Sequence, residues 1–269
     1  QPPEGVYLAP RAPTDTWNLW HQGHIDKFFD RLIENLVVFE DVDPNRVYLM
    51  GYSAGGDGAY QLAPRMADRW AAVSMMAGHP NDTSPLGLRN IGFAIYMGGR
   101  DKAYKRNEIA AEWQEKLAAL KQQDPDGYFH LVTIYPEKGH WMDREDASSI
   151  DWMRQQSRDP IPSKVVWKQD DVTHPRFYWL ATTEPQAGAL VVAAREGQTI
   201  EIESSDAKTL SVRFSDEMVD LDEPVRITRG DRVLYEGVVP RTIPVLAQTL
   251  EERGDRDSMF AGEVEVELE

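Results

Sequence analysis

Short apolar runs alternate with longer segments whose apolar residues recur every three or four positions in the first 158 residues. The runs have the length of buried strands, and the recurring spacing gives a helix one apolar face. The predicted strands are residues 6–9, 46–50, 71–76, 93–97 and 130–135, and the predicted helices are 19–39, 57–67, 108–122 and 146–156. Strands that alternate with helices indicate an α/β fold with a mostly parallel sheet covered on both faces.

The pattern changes at a proline-containing stretch, residues 158–162. Beyond it, short runs of strand length are separated by turns, which is typical of a sandwich of two sheets. These predicted strands are residues 164–168, 176–182, 189–195, 199–204, 209–214, 225–229, 232–238 and 263–268, with one short helix at 243–252. The sequence therefore predicts two domains, residues 1–158 and a small all-β sandwich at 161–269.

Composition narrows the classes of binding partner and of chemistry that we expect for this chain. Hydrophobic residues make up 41% of the 269 residues, which is enough for a packed core. The net charge of −16 repels nucleic-acid phosphates and anionic membranes, so neither is expected as a partner. The absence of cysteine excludes disulfides, thiolate metal sites and a cysteine nucleophile. The first residues, Gln-Pro-Pro-Glu, lack the basic start and apolar stretch of a signal peptide.

A glycine-rich turn follows the second predicted strand directly. Residues 51–55, Gly-Tyr-Ser-Ala-Gly, fit the pattern G-x-S-x-G between a strand and a helix. Small residues on either side let the chain turn sharply, and the start of the helix favours developing negative charge. Ser53 is therefore the predicted nucleophile. The competing interpretation is a glycine-rich turn with an incidental serine.

A serine hydroxyl needs a base, and the base needs a carboxylate that orients it. Asp101 follows the strand at 93–97, and His140 follows the strand at 130–135. Both residues therefore come on loops just after strands, in the chain order serine, acid, histidine that is typical where a G-x-S-x-G turn joins a strand to a helix. A plain turn aspartate and a structural histidine are the alternatives.

Other histidines and aromatic residues are candidates for the surroundings of the site. His21 and His24 have a metal-ligand spacing but no evident third ligand, so no metal and no cofactor is expected. The tryptophans flank the site as an aromatic platform or belong to the core, and these two interpretations stay open. The substrate-pocket candidates are Tyr52, Trp17, Trp20, His79 and Trp141.

These motifs carry a resemblance. The segments 51–56 (Gly-Tyr-Ser-Ala-Gly-Gly), 97–101 (Met-Gly-Gly-Arg-Asp) and 138–141 (Lys-Gly-His-Trp) resemble α/β-hydrolases of the esterase and prolyl-oligopeptidase-like group. Over residues 5–155 the chain looks similar to bacterial feruloyl esterases and polyhydroxybutyrate depolymerases. The resemblance implies a triad of Ser53, Asp101 and His140 that hydrolyses esters through an acyl-enzyme. It also implies an α/β-hydrolase-type sheet ahead of the sandwich.

The front of such a fold is missing from the sequence. One oxyanion donor is the N–H of Ala54, directly after the nucleophile, but no His-Gly-Gly loop precedes Ser53 to give the second. Three explanations stay open: the chain is a fragment, another chain supplies the missing strands, or the first loop supplies the donor. Candidate donors in that loop are Arg11, Ala12, Thr14 and Asp15, because Pro10 and Pro13 have no N–H. Something is expected to fill the position beside the strand at 46–50, from a partner chain or by self-association.

The leading hypothesis is a serine esterase that acts on a small-molecule or polysaccharide-linked ester. A prolyl-oligopeptidase-like peptidase uses the same triad, but the sequence shows no charged anchor for a peptide terminus. A non-catalytic binding or scaffold protein is the third hypothesis, favoured by the incomplete fold and the β-rich second part.

Overall fold

The computed structural model describes residues 5–12 and 14–268, so the expectations for residues 1–4 and Pro13 lie outside the described residues. The chain divides into two compact units, one of residues 1–36 and 40–158, the other of residues 37–39 and 159–269. The elements of the first unit are α1 (Gly23–Glu40, whose residues 37–39 group with the second unit), β1 (Tyr48–Tyr52), α2 (Ala54–Arg65), β2 (Ala72–Met76), β3 (Gly92–Gly98), α3 (Arg106–Gln123), β4 (His130–Tyr135) and α4 (Ser148–Met153).

The four strands of the first unit form one parallel sheet within the described residues, in the order β1-β2-β3-β4. The inner strands β2 and β3 are buried along their whole length, which explains why both are continuous apolar runs. Their partners β1 and β4 are only partly buried, as edge strands are. The predicted α/β class with a mostly parallel sheet is confirmed.

Helices cover this sheet through apolar faces. In α3 the buried residues Ala110, Trp113 and Leu117 recur at helical spacing, and the helix packs against β3 and β4. In α2 the first turn lies close to the backbone after β2, and Tyr60 stacks edge-on with Trp113 at 4.7 Å between ring centroids. Because parallel strands all point the same way, their carboxyl ends meet at one edge of the sheet, where ligands bind in open α/β sheets.

The second unit is rich in strands, as predicted. Its elements are β5 (Lys164–Lys168), β6 (Arg176–Phe177), β7 (Leu180–Ala181), β8 (Leu190–Glu196), β9 (Thr199–Ser205), β10 (Thr209–Phe214), β11 (Val225–Arg229), β12 (Arg232–Gly237), α5 (Ile243–Arg253) and β13 (Gly262–Glu267). Within the described residues they form a sheet ordered β13-β10-β7-β6 and a sheet ordered β12-β11-β9-β8-β5. The stacked rings of Trp167 and Phe177, 6.0 Å apart, join the two sheets.

Several predicted bounds differ from the structure; the strand at 46–50 is Tyr48–Tyr52, and the helix at 146–156 is Ser148–Met153. Three further differences have a local cause. Residues 6–9 are not a strand but exposed irregular chain, because an apolar run alone supplies no neighbour for the backbone to pair with. The predicted strand at 176–182 is interrupted at Tyr178, whose φ of 53° turns the chain between β6 and β7. The predicted helix at 57–67 begins three residues earlier, at Ala54, despite three glycines near its start. None of the helices among the described residues combines the length and apolar character needed to cross a membrane.

Candidate active site

Ser53 lies at the turn from β1 into α2, and its backbone is unusual. Its φ of 56° and ψ of −118° fall in a region that residues with side chains rarely adopt. Such a conformation costs about 1–3 kcal/mol and is typical of functional sites. The Ser53 N–H donates to the Met76 carbonyl at 2.9 Å, and the Ser53 carbonyl accepts from the Asp57 N–H at 2.9 Å. These two bonds hold the strained residue between the sheet and the helix.

Close backbone contacts explain two of the glycines. A Cβ on Gly51 would lie 1.9 Å from the carbonyl oxygen of Gly55, so no side chain fits there. A Cβ on Gly56 would lie 2.5 Å from the carbonyl oxygen of Met76, at the end of β2. Both positions therefore need glycine for the turn to close, whereas a Cβ on Gly55 would meet nothing within 4 Å.

The predicted acid and base lie on the loops that follow β3 and β4. We call residues 99–105 the acid loop and residues 136–144 the base loop. The two loops touch, because the Arg100 N–H donates to the Lys138 carbonyl at 2.8 Å. A Cβ on Gly98 would lie 1.9 Å from the carbonyl oxygen of Gly139, so the end of β3 also needs a glycine.

The structure brings His140 within hydrogen-bond distance of both Ser53 and Asp101. The His140 Nε2 lies 2.9 Å from the Ser53 Oγ, and the His140 Nδ1 lies 2.6 Å from the Asp101 Oδ2. The Asp101 side chain is only 2% exposed, whereas that of His140 is 43% exposed. The arrangement is a continuous chain from a buried carboxylate through an imidazole to an accessible hydroxyl.

Arg106, the first residue of α3, is an element of the site that sequence reasoning missed. Its Nη1 lies 3.9 Å from the Asp101 Oδ1, and its side chain is 10% exposed. The Asp101 carboxylate thus faces Arg106 through its Oδ1 and His140 through its Oδ2. The only sequence signal was a basic residue five positions after Asp101, and the sequence does not distinguish it from the neighbouring Lys102 and Lys105.

Asp57, in the first turn of α2, is a second residue that sequence reasoning missed. Its Oδ1 accepts from the His79 N–H at 2.6 Å. Burial raises the pKa of Asp57, while the His79 N–H and the Arg106 charge oppose that shift. This hydrogen bond holds the backbone of His79, a predicted pocket residue, against the first turn of α2.

Of the predicted pocket residues, Tyr52 and Trp141 lie beside the base. The Tyr52 hydroxyl donates to the His140 carbonyl, and the Tyr52 ring lies 5.7 Å from the imidazole of His140. The Trp141 ring is 57% exposed and 5.9 Å from that of Tyr52. Trp20 instead packs against Gly58 and Phe29.

The remaining candidates stay predictions. Trp17 is 79% exposed. Ala54 is the first residue of α2, so its N–H has no acceptor within the helix and is available to an oxyanion. The candidate second donors lie in irregular chain: Arg11, Ala12, Thr14 and Asp15. Among the residues that the structure describes, no three His, Asp or Glu side chains are grouped to hold a metal ion.

Comparison with known proteins gives partial structural similarity alone. No protein-family model and no curated protein sequence matches the chain. A thermostable esterase is 21% identical with a TM-score of 0.39, over 49% of this chain and 36% of that one. A carboxylesterase from Mesorhizobium loti is 18% identical with a TM-score of 0.37, over 48% and 59%. The Bacillus cereus carboxylesterase is 17% identical with a TM-score of 0.37, over 49% and 60%.

The chain thus spans less than two thirds of the length of each of these esterases. These proteins are what part of the chain resembles, and at such TM-scores the likeness carries no argument about activity. The chemistry proposed for this chain rests on its own side chains.

Proposed function

We propose that the chain is a serine hydrolase that cleaves carboxylic esters through an acyl-enzyme on Ser53. The observation that carries the proposal is the chain of hydrogen bonds from Asp101 through His140 to Ser53, at a strand-to-helix turn with a positive φ. A serine, a base within 3.2 Å of its hydroxyl and a buried carboxylate behind the base are what nucleophilic acyl transfer requires.

The proposed reaction has two halves. In the first, the His140 Nε2 takes the Ser53 proton while the Oγ attacks the ester carbonyl, and the Ala54 N–H donates to the oxyanion. The tetrahedral intermediate collapses, the bond to the alcohol breaks, and His140 gives its proton to the leaving oxygen. In the second half, His140 takes a proton from water while the water oxygen attacks the acyl carbonyl. The bond between the acyl carbon and the Ser53 Oγ then breaks, the acid leaves, and His140 returns its proton to the Oγ. Asp101 stabilises the imidazolium in both halves.

The first experiment measures p-nitrophenyl acetate turnover and fluorophosphonate labelling of the purified chain. We expect Ser53→Ala to reduce turnover at least about 1,000-fold and to abolish labelling, because no other group replaces the nucleophile. Ser148→Ala is the matched control, since Ser148 is an exposed serine that follows the base loop. Equal turnover by wild type and Ser53→Ala would refute the proposal and leave a non-catalytic binding protein.

The finer proposal concerns the substrate. We propose an ester of the feruloyl or hydroxyalkanoate kind, because the exposed Trp141 and the ring of Tyr52 give the base side of the site an aromatic surface. The panel is a hydroxycinnamate methyl ester, a hydroxybutyrate oligomer and a proline-containing peptide anilide. Preferential cleavage of the anilide would support the peptidase alternative instead.

A further inference from the structure

The position of His140 relative to Ser53 poses a structural problem. Ser53 follows β1 and His140 follows β4, and these strands lie at opposite edges of the sheet, with β2 and β3 between them. No ladder of backbone hydrogen bonds therefore joins the strand of the nucleophile to the strand of the base. The base loop must extend across two strand ends to bring its imidazole within 2.9 Å of the Ser53 Oγ.

The base loop is anchored firmly on its own side. Lys138 bonds to Asp143 at 2.8 Å and to Glu145 at 2.7 Å, which closes the loop upon itself. The Arg100 N–H and Gly98 fix residues 138 and 139 to the acid loop and β3. All these contacts fix the base loop to itself or to the β3 side of the sheet, and none of them reaches β1.

Tyr52 connects β1 to the base loop. It is the last residue of β1 and the direct neighbour of Ser53. Its hydroxyl donates to the backbone carbonyl of His140, and its ring packs edge-on against the imidazole. The ring also packs on a buried cluster that includes Met76 and Met142, so it has little freedom to move. The side chain of Tyr52 therefore connects β1, the strand that precedes Ser53, to His140 on the base loop.

The hydroxyl of Tyr52 is a dependable donor. Burial raises the pKa of Tyr52, and the nearby charge of Asp146 raises it further. The phenol therefore keeps its proton at alkaline pH values where an exposed tyrosine begins to ionise. The Tyr52 hydroxyl is therefore protonated, and able to donate to the His140 carbonyl, at neutral pH.

We infer that Tyr52 is a positioning residue, whose hydroxyl fixes the imidazole of His140 at its working distance from Ser53. The inference rests on the proposed function for its consequence in rate. Its mechanism is geometric. Without the hydroxyl, the base loop keeps its contacts to β3 and the ring contacts of residue 52, but it loses the hydrogen bond from that side chain to the His140 carbonyl. The distance between Nε2 and Oγ is then held less tightly. Displacements of about 1 Å at a reacting pair cost about 100-fold in rate.

The test compares Tyr52→Phe with Tyr135→Phe. Both substitutions keep the ring and remove one hydroxyl that donates to a backbone carbonyl, His140 in the first case and Glu145 in the second. We expect Tyr52→Phe to lower kcat about 10- to 100-fold with KM within about 2-fold of wild type, because binding is kept and alignment is lost. Tyr135→Phe is expected to keep kcat within about 3-fold, because the bond to Glu145 does not hold the imidazole.

A spectroscopic measurement tests the same inference without activity. A proton on the His140 Nδ1 that bonds to Asp101 is expected to give a downfield resonance in water, and His140→Ala is expected to remove it. We expect Tyr52→Phe to broaden or abolish this resonance and Tyr135→Phe to retain it. Circular dichroism and thermal melting verify that both variants are folded.

The outcomes separate the inference from the proposed function. An unchanged resonance with kcat within about 3-fold of wild type for Tyr52→Phe would overturn the inference. Equal losses of kcat in Tyr52→Phe and Tyr135→Phe would also overturn the inference. Removal of either hydroxyl near the base loop would then lower kcat, whether or not that hydroxyl bonds to His140. If wild type shows no Ser53-dependent turnover, the proposed function fails, and the resonance alone decides whether Tyr52 positions His140.

Discussion

At the scale of single residues, the candidate site depends on positions where no side chain fits as much as on the side chains of Ser53, Asp101 and His140. Gly51 and Gly98 each face a backbone carbonyl oxygen at a distance no Cβ tolerates. The first lets the chain turn at Ser53, and the second lets the acid and base loops meet. Both glycines come from strand ends, which is where the polar groups of the site are placed.

Replacing Gly51 tests this requirement. We expect Gly51→Ala to destabilise the fold by about 1–3 kcal/mol, because the new methyl group overlaps the Gly55 carbonyl and the backbone must shift. Fluorophosphonate labelling of Ser53 is expected to slow by at least about 10-fold, because the turn carries the nucleophile. Urea unfolding and labelling rates give the two measurements.

Gly55→Ala is the matched control for stability. Its Cβ would meet nothing within 4 Å, and alanine favours the first turn of α2. Its free energy of unfolding is expected within about 0.5 kcal/mol of wild type or above it. Equal stability of the two alanine variants would show that the close contact at Gly51 is not a constraint.

Sequence reasoning could predict the residues of the site that belong to a local pattern. Ser53 stands out because the glycines around it and the strand before it are contiguous in the chain. Asp101 and His140 follow from their positions after strands. Arg106 and the donor role of Tyr52 could not be predicted, because each depends on a contact between segments that only the folded sheet brings together.

Among the elements, α1 and α2 are joined by buried charges. The Arg65 Nη2 lies 2.7 Å from the Asp26 Oδ1, and both side chains are at most 2% exposed. The Arg69 Nε also bonds to the Asp30 Oδ1 at 2.7 Å, one turn along α1. Because a buried charge needs a partner, the two helices are fixed in one register relative to each other.

We expect Asp26→Ala to destabilise the protein by about 3–5 kcal/mol, because Arg65 is left as a buried charge without its carboxylate. Arg31→Ala on the same helix is the control. Arg31 is 78% exposed and pairs with Glu34, so its loss is expected to cost less than about 1 kcal/mol. Urea unfolding of both variants gives the comparison, and similar losses would contradict a special role for the buried pair.

Element bounds were predictable where tertiary contacts did not alter them. The strand at 130–135 and the helix that begins at Ile243 agree with the pattern, the latter because Thr242 caps its start. The start of α2 was placed too late because its glycines are poor helix formers. In the folded chain, close packing against Met76 and Trp20 makes glycine necessary there and outweighs its low propensity.

For the whole molecule, the acidic composition makes stability depend on how carboxylates are paired. In the second unit, Arg213 on β10 bonds to Glu252 of α5 at 2.6 Å and to Glu263 of β13 at 2.8 Å. Burial opposes ionisation of Glu252, but hydrogen bonds from Arg213 and Gln248 and the charge of Arg213 outweigh it. Together they lower the pKa of Glu252 from 4.5 to about 2.

Acid titration is expected to reveal this pairing. Because the folded pKa lies below the unfolded one, the stabilisation is complete above pH of about 4.5 and is lost as the pH falls towards about 2. Melting temperatures of wild type and Glu252→Gln measured across this range give the test. Wild type should lose more stability than the variant on acidification, by up to about 3 kcal/mol. Parallel curves would assign acid sensitivity to other carboxylates.

The α/β class was predictable because β2 and β3 are continuous apolar runs, and because helical patterns lie between β1 and β2 and between β3 and β4. The prediction that another strand fills the position beside β1 stays a prediction. Within the described residues β1 pairs with β2 alone. Strand pairing at an edge depends on what else is present, and no pattern within β1 encodes its neighbour.

The width of the sheet determines which measurement would detect a small change in its core most sensitively. Neighbouring strands lie about 4.8 Å apart, so the strands of the nucleophile and the base are separated by roughly 14 Å of packed core. Core substitutions in β2 or β3 that change this spacing slightly would alter the gap between Oγ and Nε2 while leaving most burial intact. For the proposed hydrolase, we therefore expect ester turnover to respond more strongly to the sheet's lateral spacing than the melting temperature does.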